Sequence, residues 1–133
     1  MTDPIADMLT RIRNAQAVKK TEVVLPFSNF KHSLGRLLVE EGWLAGIEKV
    51  KNGEKGAFDE LRVKLKYNKS GKPAIIKLIK ISKPGRRVYV NYQNLPYVLN
   101  NLGIAVISTS RGLMTNKRAR REKVGGEILC EIY

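Results

Sequence analysis

The sequence predicts an α+β fold with mostly antiparallel sheets, arranged as two small lobes. Three observations predict it. Apolar residues recur at helical spacing only in short stretches, and runs rich in Val, Ile and Leu bounded by Gly, Pro and Asn occupy much of the remainder. A polar segment, residues 68–73 (NKSGKP), interrupts the chain near its middle. We therefore expect an N-terminal α+β lobe over residues 1–67, a linker over 68–73 and a C-terminal α+β lobe over 74–133. A chain of 133 residues buries about two-thirds of the surface that its unfolded form exposes, so a true core is available.

Taken in order, Asp3 and Pro4 read as an N-cap and a proline at the first helical position, followed by a stripe of Ile5, Met8, Leu9 and Ile12. Arg11 and Arg13 lie off that stripe. Glu22–Pro26 reads as a short strand. Ser28 opens a second helix with the stripe Leu34, Leu37 and Leu38, closed by Gly42. Trp43–Val50 and Phe58–Tyr67 read as a hairpin around an Asn52–Gly56 turn, and Leu61, Val63, Leu65 and Tyr67 alternate with Arg62, Lys64 and Lys66. Such alternation gives one apolar sheet face and one cationic face. Beyond the linker we expect a second hairpin, Ala74–Ser82 and Arg87–Val90 around Pro84-Gly85, and then a short helix from Asn94 to Gly103. A buried strand Ile104–Ile107, one or two basic helical turns after Thr115 or Asn116, and a last strand Glu127–Ile132 complete the order.

Charge narrows the function. The net charge is +13, and residues 61–121 contain fifteen Lys or Arg and no Asp or Glu. A one-signed stretch of that length requires an external polyanion, and nucleic acid is the first candidate. Apolar residues spread along the whole chain exclude a disordered basic tail. No apolar run reaches the ~18 residues of a membrane span, and the N-terminus lacks the layout of a signal peptide, so we expect a cytoplasmic protein without a membrane partner. The single cysteine, Cys130, has no second thiol for a disulfide or a zinc site and reads as a small core residue.

Four constellations carry chemistry. Ser108, Thr109, Ser110, Arg111 and Gly112 follow the buried strand and bring hydroxyls and a guanidinium to one loop, groups that meet phosphate, ribose and base edges. The ordinary alternative is a turn whose hydroxyls satisfy their own main chain; the basic surroundings favour ligand contact. Around Pro84-Gly85, Arg86, Arg87 and Tyr89 combine guanidinium forks with an aromatic face. For Tyr89 alone the alternative is a ring half in the core, and Tyr92 and Tyr97 are assigned to structure. Lys117, Arg118, Arg120, Arg121 and Lys123 form one or two basic helical turns offset only by Glu122, suited to sequence-blind attraction for phosphates. Gly125-Gly126 reads as a bulge or tight start of a strand, and Glu127 as an acid that orients a neighbouring cation, the alternative being an acceptor for a base amino group or a ribose hydroxyl.

An enzyme is not expected. His32 is the only histidine, no nucleotide-binding glycine motif is present, and the basic half lacks the carboxylates that a magnesium nuclease needs. No cofactor, metal or small-molecule substrate is implied.

The runs SKPGRRVY, LGIAVISTSRGLMT and GGEILC between Ile81 and Cys130 resemble the bacterial small-subunit ribosomal protein eight family. Thr2–Ala15 (TDPIADMLTRIRNA) and Glu40-Glu41-Gly42-Trp43 extend the resemblance over essentially the whole chain. The resemblance implies two tightly associated α+β lobes in a non-enzymatic protein of the small ribosomal subunit. It further implies a primary binder of small-subunit ribosomal RNA that recognises an irregular helix of the central domain and helps assemble the platform. Small-subunit proteins five and twelve are implied neighbours, and in some bacteria a member represses the messenger RNA of its own operon. Carried over by motif, Ser108, Thr109, Ser110, Arg111 and Gly112 become the principal RNA-contacting loop, with Arg87, Tyr89 and Glu127 beside it. Thr2, Asp3, Arg13, Asn14 and Lys31 become N-terminal contributors. Two departures stand out: Ser-Arg-Gly replaces the frequent Ser-Lys-Gly, and Asn116 replaces a common Asp. The basic helix is also richer in cations than usual, which adds Lys117, Arg118 and Arg121 as phosphate contacts. The alternatives are a regulator acting chiefly on messenger RNA and a DNA-binding architectural protein.

Overall fold

Pro4, whose missing N–H costs nothing at a helix start, begins α1 (Pro4–Ala17), which buries Ile5, Met8, Leu9, Ile12, Ala15 and Gln16 on one face. The computed structural model describes residues 3–51, 59–100 and 102–133. These fall into two units, Pro4–Ile75, and Ile76–Tyr133 together with Asp3. Both units combine helix with antiparallel sheet, so the fold is α+β.

In the first unit α1 is followed by β1 (Glu22–Pro26), α2 (Asn29–Glu40), β2 (Gly46–Val50) and β3 (Glu60–Lys64). The Ser28 hydroxyl caps α2 by accepting from the Lys31 N–H at 3.1 Å. The helix ends as the N–H groups of Glu41, Gly42 and Trp43 close onto the carbonyls of Leu37, Val39 and Leu38, with Gly42 at φ +83°. That closure explains why β2 starts later than expected. Trp43 and Leu44 are tied back to Leu38, and the ladder begins only when Ala45 N–H reaches the Lys64 carbonyl at 2.9 Å. In the order β1-β3-β2, β3 is central and antiparallel to both neighbours, with Arg62 between Val24 and Glu48. Leu61, Val63 and Leu65 are buried. The expected cationic ladder is partly used within the protein: Arg62 lies 3.8 Å from Glu48, and Lys66 donates to the Gly42 carbonyl at 3.1 Å. The Asn52–Gly56 turn and Phe58 lie outside the described residues. Residues 68–73 form a closed turn, in which Asn68 N–H meets the Lys72 carbonyl and Asn68 Oδ1 accepts from Ser70 and Lys72.

The second unit contains β4 (Leu78–Lys80), β5 (Tyr89–Val90), β6 (Ile104–Thr109), β7 (Gly112–Thr115), α3 (Asn116–Glu122) and β8 (Gly126–Ile132). Its sheet runs β4-β8-β6-β7, and β5 also pairs with β8. The expected pairing of β4 with β5 does not occur. Both lie along one edge of β8, Leu78 opposite Ile132 and Tyr89 opposite Glu127. Residues 82–87 leave that edge and return, closed at their tip by the Lys83–Arg86 bridge. A seven-residue β8 is long enough to receive both short strands, so the turn joins them without zipping them together. β4 is shorter than expected because the N–H groups of Ile76 and Lys77 both bond the Tyr133 carbonyl.

The helix expected over 94–103 is absent from the described residues of that stretch. Asn91 Oδ1 accepts from Gln93 and Asn94 and limits the chain to one 3-10 turn, Tyr92–Asn94. Leu95, ahead of Pro96, is extended (ψ 137°), and Leu99 and Asn100 take positive φ. An additional strand, β7, appears where none was expected; its four residues are too few to show a period. The core of this unit is Leu95, Val98, Ala105, Ile107, Met114, Ala119 and Ile128.

Candidate nucleic-acid interface

β6 is buried from Ile104 to Ile107 and emerges at Ser108, so the hydroxyl loop is the exposed tip of the β6–β7 hairpin. Two of its residues build the tip. Thr109 Oγ1 donates to the Gly112 carbonyl at 2.8 Å and accepts from the Arg111 N–H at 3.0 Å. Gly112 closes the turn at φ +105°, a backbone that side chains rarely adopt. The alternative of a self-satisfied hydroxyl thus holds for Thr109. Ser110 and Arg111 are exposed at the apex, while Ser108 is half-buried.

Strand register sets what lies beside this tip. Ser108 pairs with Glu127, and Glu127 pairs with Tyr89, giving a row across three strands. The strands approach closely because Gly125 leads into β8 and Gly126 begins it: a Cβ on Gly126 would lie 2.1 Å from the Ser108 carbonyl oxygen, and one on Gly125 would lie 2.4 Å from that of Val90. A bulge follows, since Val106 faces Cys130 while Ile107 faces Ile128.

Glu127 is fixed by its neighbours. Its carboxylate accepts from the buried Ser82 hydroxyl and from Arg87 Nη1 at 3.3 Å, and Ser82 Oγ in turn accepts from the Val88 N–H at 3.2 Å. Ser82 therefore joins the two sides of the 82–87 loop to β8, a role not foreseen; a lone serine completely buried at the end of an apolar run is the signal for it. Tyr89 is 69% exposed, which overturns the half-core alternative for this ring. Arg86 and Arg87 are exposed on the loop.

α3 follows β7 directly, with Thr115 as N-cap accepting from the Arg118 N–H at 3.1 Å and Lys123 in the left-handed conformation at its end. Its cations divide. Arg120 turns inward, donating to the carbonyls of Leu95 and Pro96 and stacking 4.0 Å over the Tyr97 ring. Asn116, fully buried, accepts from the Ala105 N–H at 3.1 Å and donates to the Pro96 carbonyl at 2.8 Å. A carboxylate has no such donor and would be a buried charge, so the amide suits this position. Lys117, Arg118 and Arg121 are exposed. Arg118 Nε meets Glu122 Oε2 at 2.5 Å, and Arg111 Nη1 meets Glu122 Oε1 at 3.3 Å. These bonds, led by that from Arg118, hold the Glu122 carboxyl below the usual carboxylate range.

The remaining expected contributors lie elsewhere. Thr2 is outside the described residues. Asp3 forms a largely buried pair with Lys80 at 3.7 Å. Arg13 and Asn14 are exposed on α1, and Lys31 Nζ donates to the Pro26 carbonyl at 3.4 Å. Among the described residues no cluster of His, Cys, Asp and Glu could hold a metal, and no helix is long and apolar enough to cross a membrane.

Comparison with known proteins concerns the chain along its length. The family described as "Ribosomal protein S8" matches residues 3–133. The chain is 53% identical over 133 residues to the small ribosomal subunit protein uS8 of Clostridioides difficile, covering all of this chain and 98% of that protein. It is 52% identical to the protein of the same name from Halothermothrix orenii and 49% identical to that from Leptospira biflexa, each with the same coverage. Identity at this level along the full length leaves one conclusion: the chain belongs to the ribosomal protein S8 family.

Proposed function

We propose that the chain binds small-subunit ribosomal RNA directly, and that the recognising surface is the end of the second unit's sheet where the β6–β7 tip, Tyr89 and Glu127 stand in one row. Membership of the family makes it a structural constituent of the small ribosomal subunit and not an enzyme. One observation carries the finer reading: a hairpin apex presents Ser110 and Arg111 on a backbone fixed by Thr109 and Gly112, beside an exposed tyrosine ring. Hydroxyl and guanidinium donors of this kind suit ribose 2′-hydroxyls, phosphates and base edges, and an exposed ring suits a sugar or an unstacked base. The side chains lie on a broad sheet end rather than on a projecting helix. That shape fits the wide, shallow minor groove of an irregular RNA helix; the deep major groove of A-form RNA is closed to side chains.

The geometry supports a division of roles in this reading. Ser110 and Arg111 contact RNA, and Ser108 does so at the margin. Thr109, Gly112 and Glu127 hold the contacting groups in place. Arg86, Arg87, Lys117, Arg118 and Arg121 attract phosphates, while Arg13, Asn14 and Lys31 add contacts from the first unit. Asp3 acts by holding Lys80. The target we propose is the central domain, in an assembly that includes small-subunit proteins five and twelve.

Chemical probing of small-subunit RNA with and without the protein tests the reading. Protection confined to one irregular helix of the central domain is expected, and it should survive competition by regular duplex RNA and duplex DNA at raised salt. Protection abolished equally by both competitors would leave only charge attraction and overturn the reading.

A further inference from the structure

Residues 61–121 contain no acid, and the first one after them, Glu122, is bonded to two of the cations assigned to RNA. Its two oxygens are divided between elements: Oε2 takes Arg118 of the same helix at 2.5 Å, and Oε1 takes Arg111 of the hairpin tip at 3.3 Å. Arg118 and Arg111 remain 57% and 62% exposed, so a phosphate can reach either one. A carboxylate held by two guanidiniums is also what a phosphate would look like to them, since Arg recognises both anions through the same fork.

Resting on the RNA-binding reading above, we propose that Glu122 is a specificity-determining residue: its carboxylate occupies one donor each of Arg111 and Arg118, an RNA whose shape engages the rest of the surface binds with that pairing left in place, and a polyanion held by charge alone must displace it to use both guanidiniums. A well-seated RNA uses the hairpin tip and the donors that Glu122 leaves open, so the pairing takes little from its affinity. A polyanion held by charge alone draws on both guanidiniums, and breaking the two exposed pairs lowers its affinity by the modest amount such pairs contribute. The pair persists at neutral pH because Glu122 stays ionised well below it. Specificity is a difference of affinities, and a competitor that only the wrong partner must displace widens that difference.

The test compares wild type, Glu122→Gln and a charge-matched control, Glu40→Gln, on three probes: the central-domain helix, a fully paired RNA duplex of equal length, and duplex DNA. Glu40 is an exposed acid at the end of α2. Each titration is run at several salt concentrations. We expect Glu122→Gln to raise affinity for the two regular duplexes about three- to tenfold while changing the central-domain helix less than about twofold, on the scale of an exposed pair or two. The salt slope on the duplexes should steepen by about one to two phosphate equivalents, and Glu40→Gln should leave the preference unchanged. Equal gains on all probes, or equal effects of the two variants, would reduce Glu122 to bulk charge and overturn the inference. So would an unchanged preference. A loss confined to the central-domain helix would show that Glu122 positions the arginines instead of withholding them, which also overturns it. Should the wild type itself show no preference among the probes, the RNA-binding reading fails, and that outcome is visible without any variant.

Discussion

Thr109 uses its hydroxyl inside its own turn, and Ser110 does not, so the two residues should respond differently to loss of that group. Ser110→Ala should weaken the central-domain RNA by roughly 1 kcal/mol, the scale of one hydrogen bond, and leave regular duplex RNA unaffected. Thr109→Ala should weaken the same RNA by a similar amount by loosening the tip, with faster amide exchange at Arg111, whose N–H it releases. Thr109→Ser should restore both measurements. Equal loss on specific and regular RNA would remove the hydroxyls from recognition. A second residue-scale effect concerns Cys130, fully buried in β8, where desolvation pushes the thiol up to about 12. In the unfolded chain the thiol ionises near 9, so the folded state holds its proton over a range where the unfolded state has released it. The resulting stability is complete below about 9 and is lost as pH rises toward 12. Cys130→Val should therefore show a shallower alkaline decline in denaturant midpoint than wild type, and Cys130 in the native protein at pH 8 should resist alkylating reagents.

At the scale of elements, β8 organises the second unit, since β4, β5 and β6 all pair with it. Gly125, just ahead of it, and Gly126, its first residue, decide how closely β5 and β6 approach, and with them Tyr89 and Ser108. Gly126→Ala places a methyl group 2.1 Å from a main-chain oxygen, and the strands must separate to admit it. A loss of more than about 2 kcal/mol in unfolding free energy is expected, on the scale of overpacking a closed core, with weaker specific RNA binding even where the variant remains folded. A variant of unchanged stability would show that the β5–β8–β6 spacing adjusts freely. Asn116 links β6, α3 and the 95–97 segment through one amide. Asn116→Asp removes the donor to Pro96 and buries a charge, so thermal denaturation at neutral pH should reveal a loss of about 1–3 kcal/mol, recovering in part as acid protonates the new carboxyl.

For the whole molecule, the proposed function divides between net charge, which sets attraction, and shape, which sets choice. A charge of +13 favours contact with polyanions, and binding that arises from it falls as salt rises. In that proposal Lys117 and Arg121 belong to the charge part. Neutralising either with Gln should shallow the logarithmic salt slope on RNA by about one phosphate equivalent, while preserving most of the preference for the irregular helix at fixed salt. An unchanged slope for both variants would place α3 outside the interface. Arg120, on the same helix, should behave differently, because its guanidinium anchors the 95–97 segment; Arg120→Gln should register in thermal stability more than in salt dependence.

Local pattern made much of this chain legible. Helical stripes, the Ser28 cap, the alternation over residues 61–67 and the buried run at Ile104 identify their own elements, because the periods of side-chain direction and the chemistry of caps are properties of a few adjacent residues. The serine-rich loop and the basic helix were visible for the same reason. What the sequence did not determine depends on partners distant along the chain. Whether β4 pairs with β5 or with β8 is decided by the edge that β8 offers, and the described residues of the stretch 94–103 gave up their helix to Asn91, Pro96 and the side chains of α3. The division of cations belongs to the same class: Arg111, Arg118 and Arg120 read alike as letters, but tertiary structure sends one inward to backbone carbonyls and joins the other two through Glu122, because a hydrogen bond depends on where groups meet in space and not on their order in the chain.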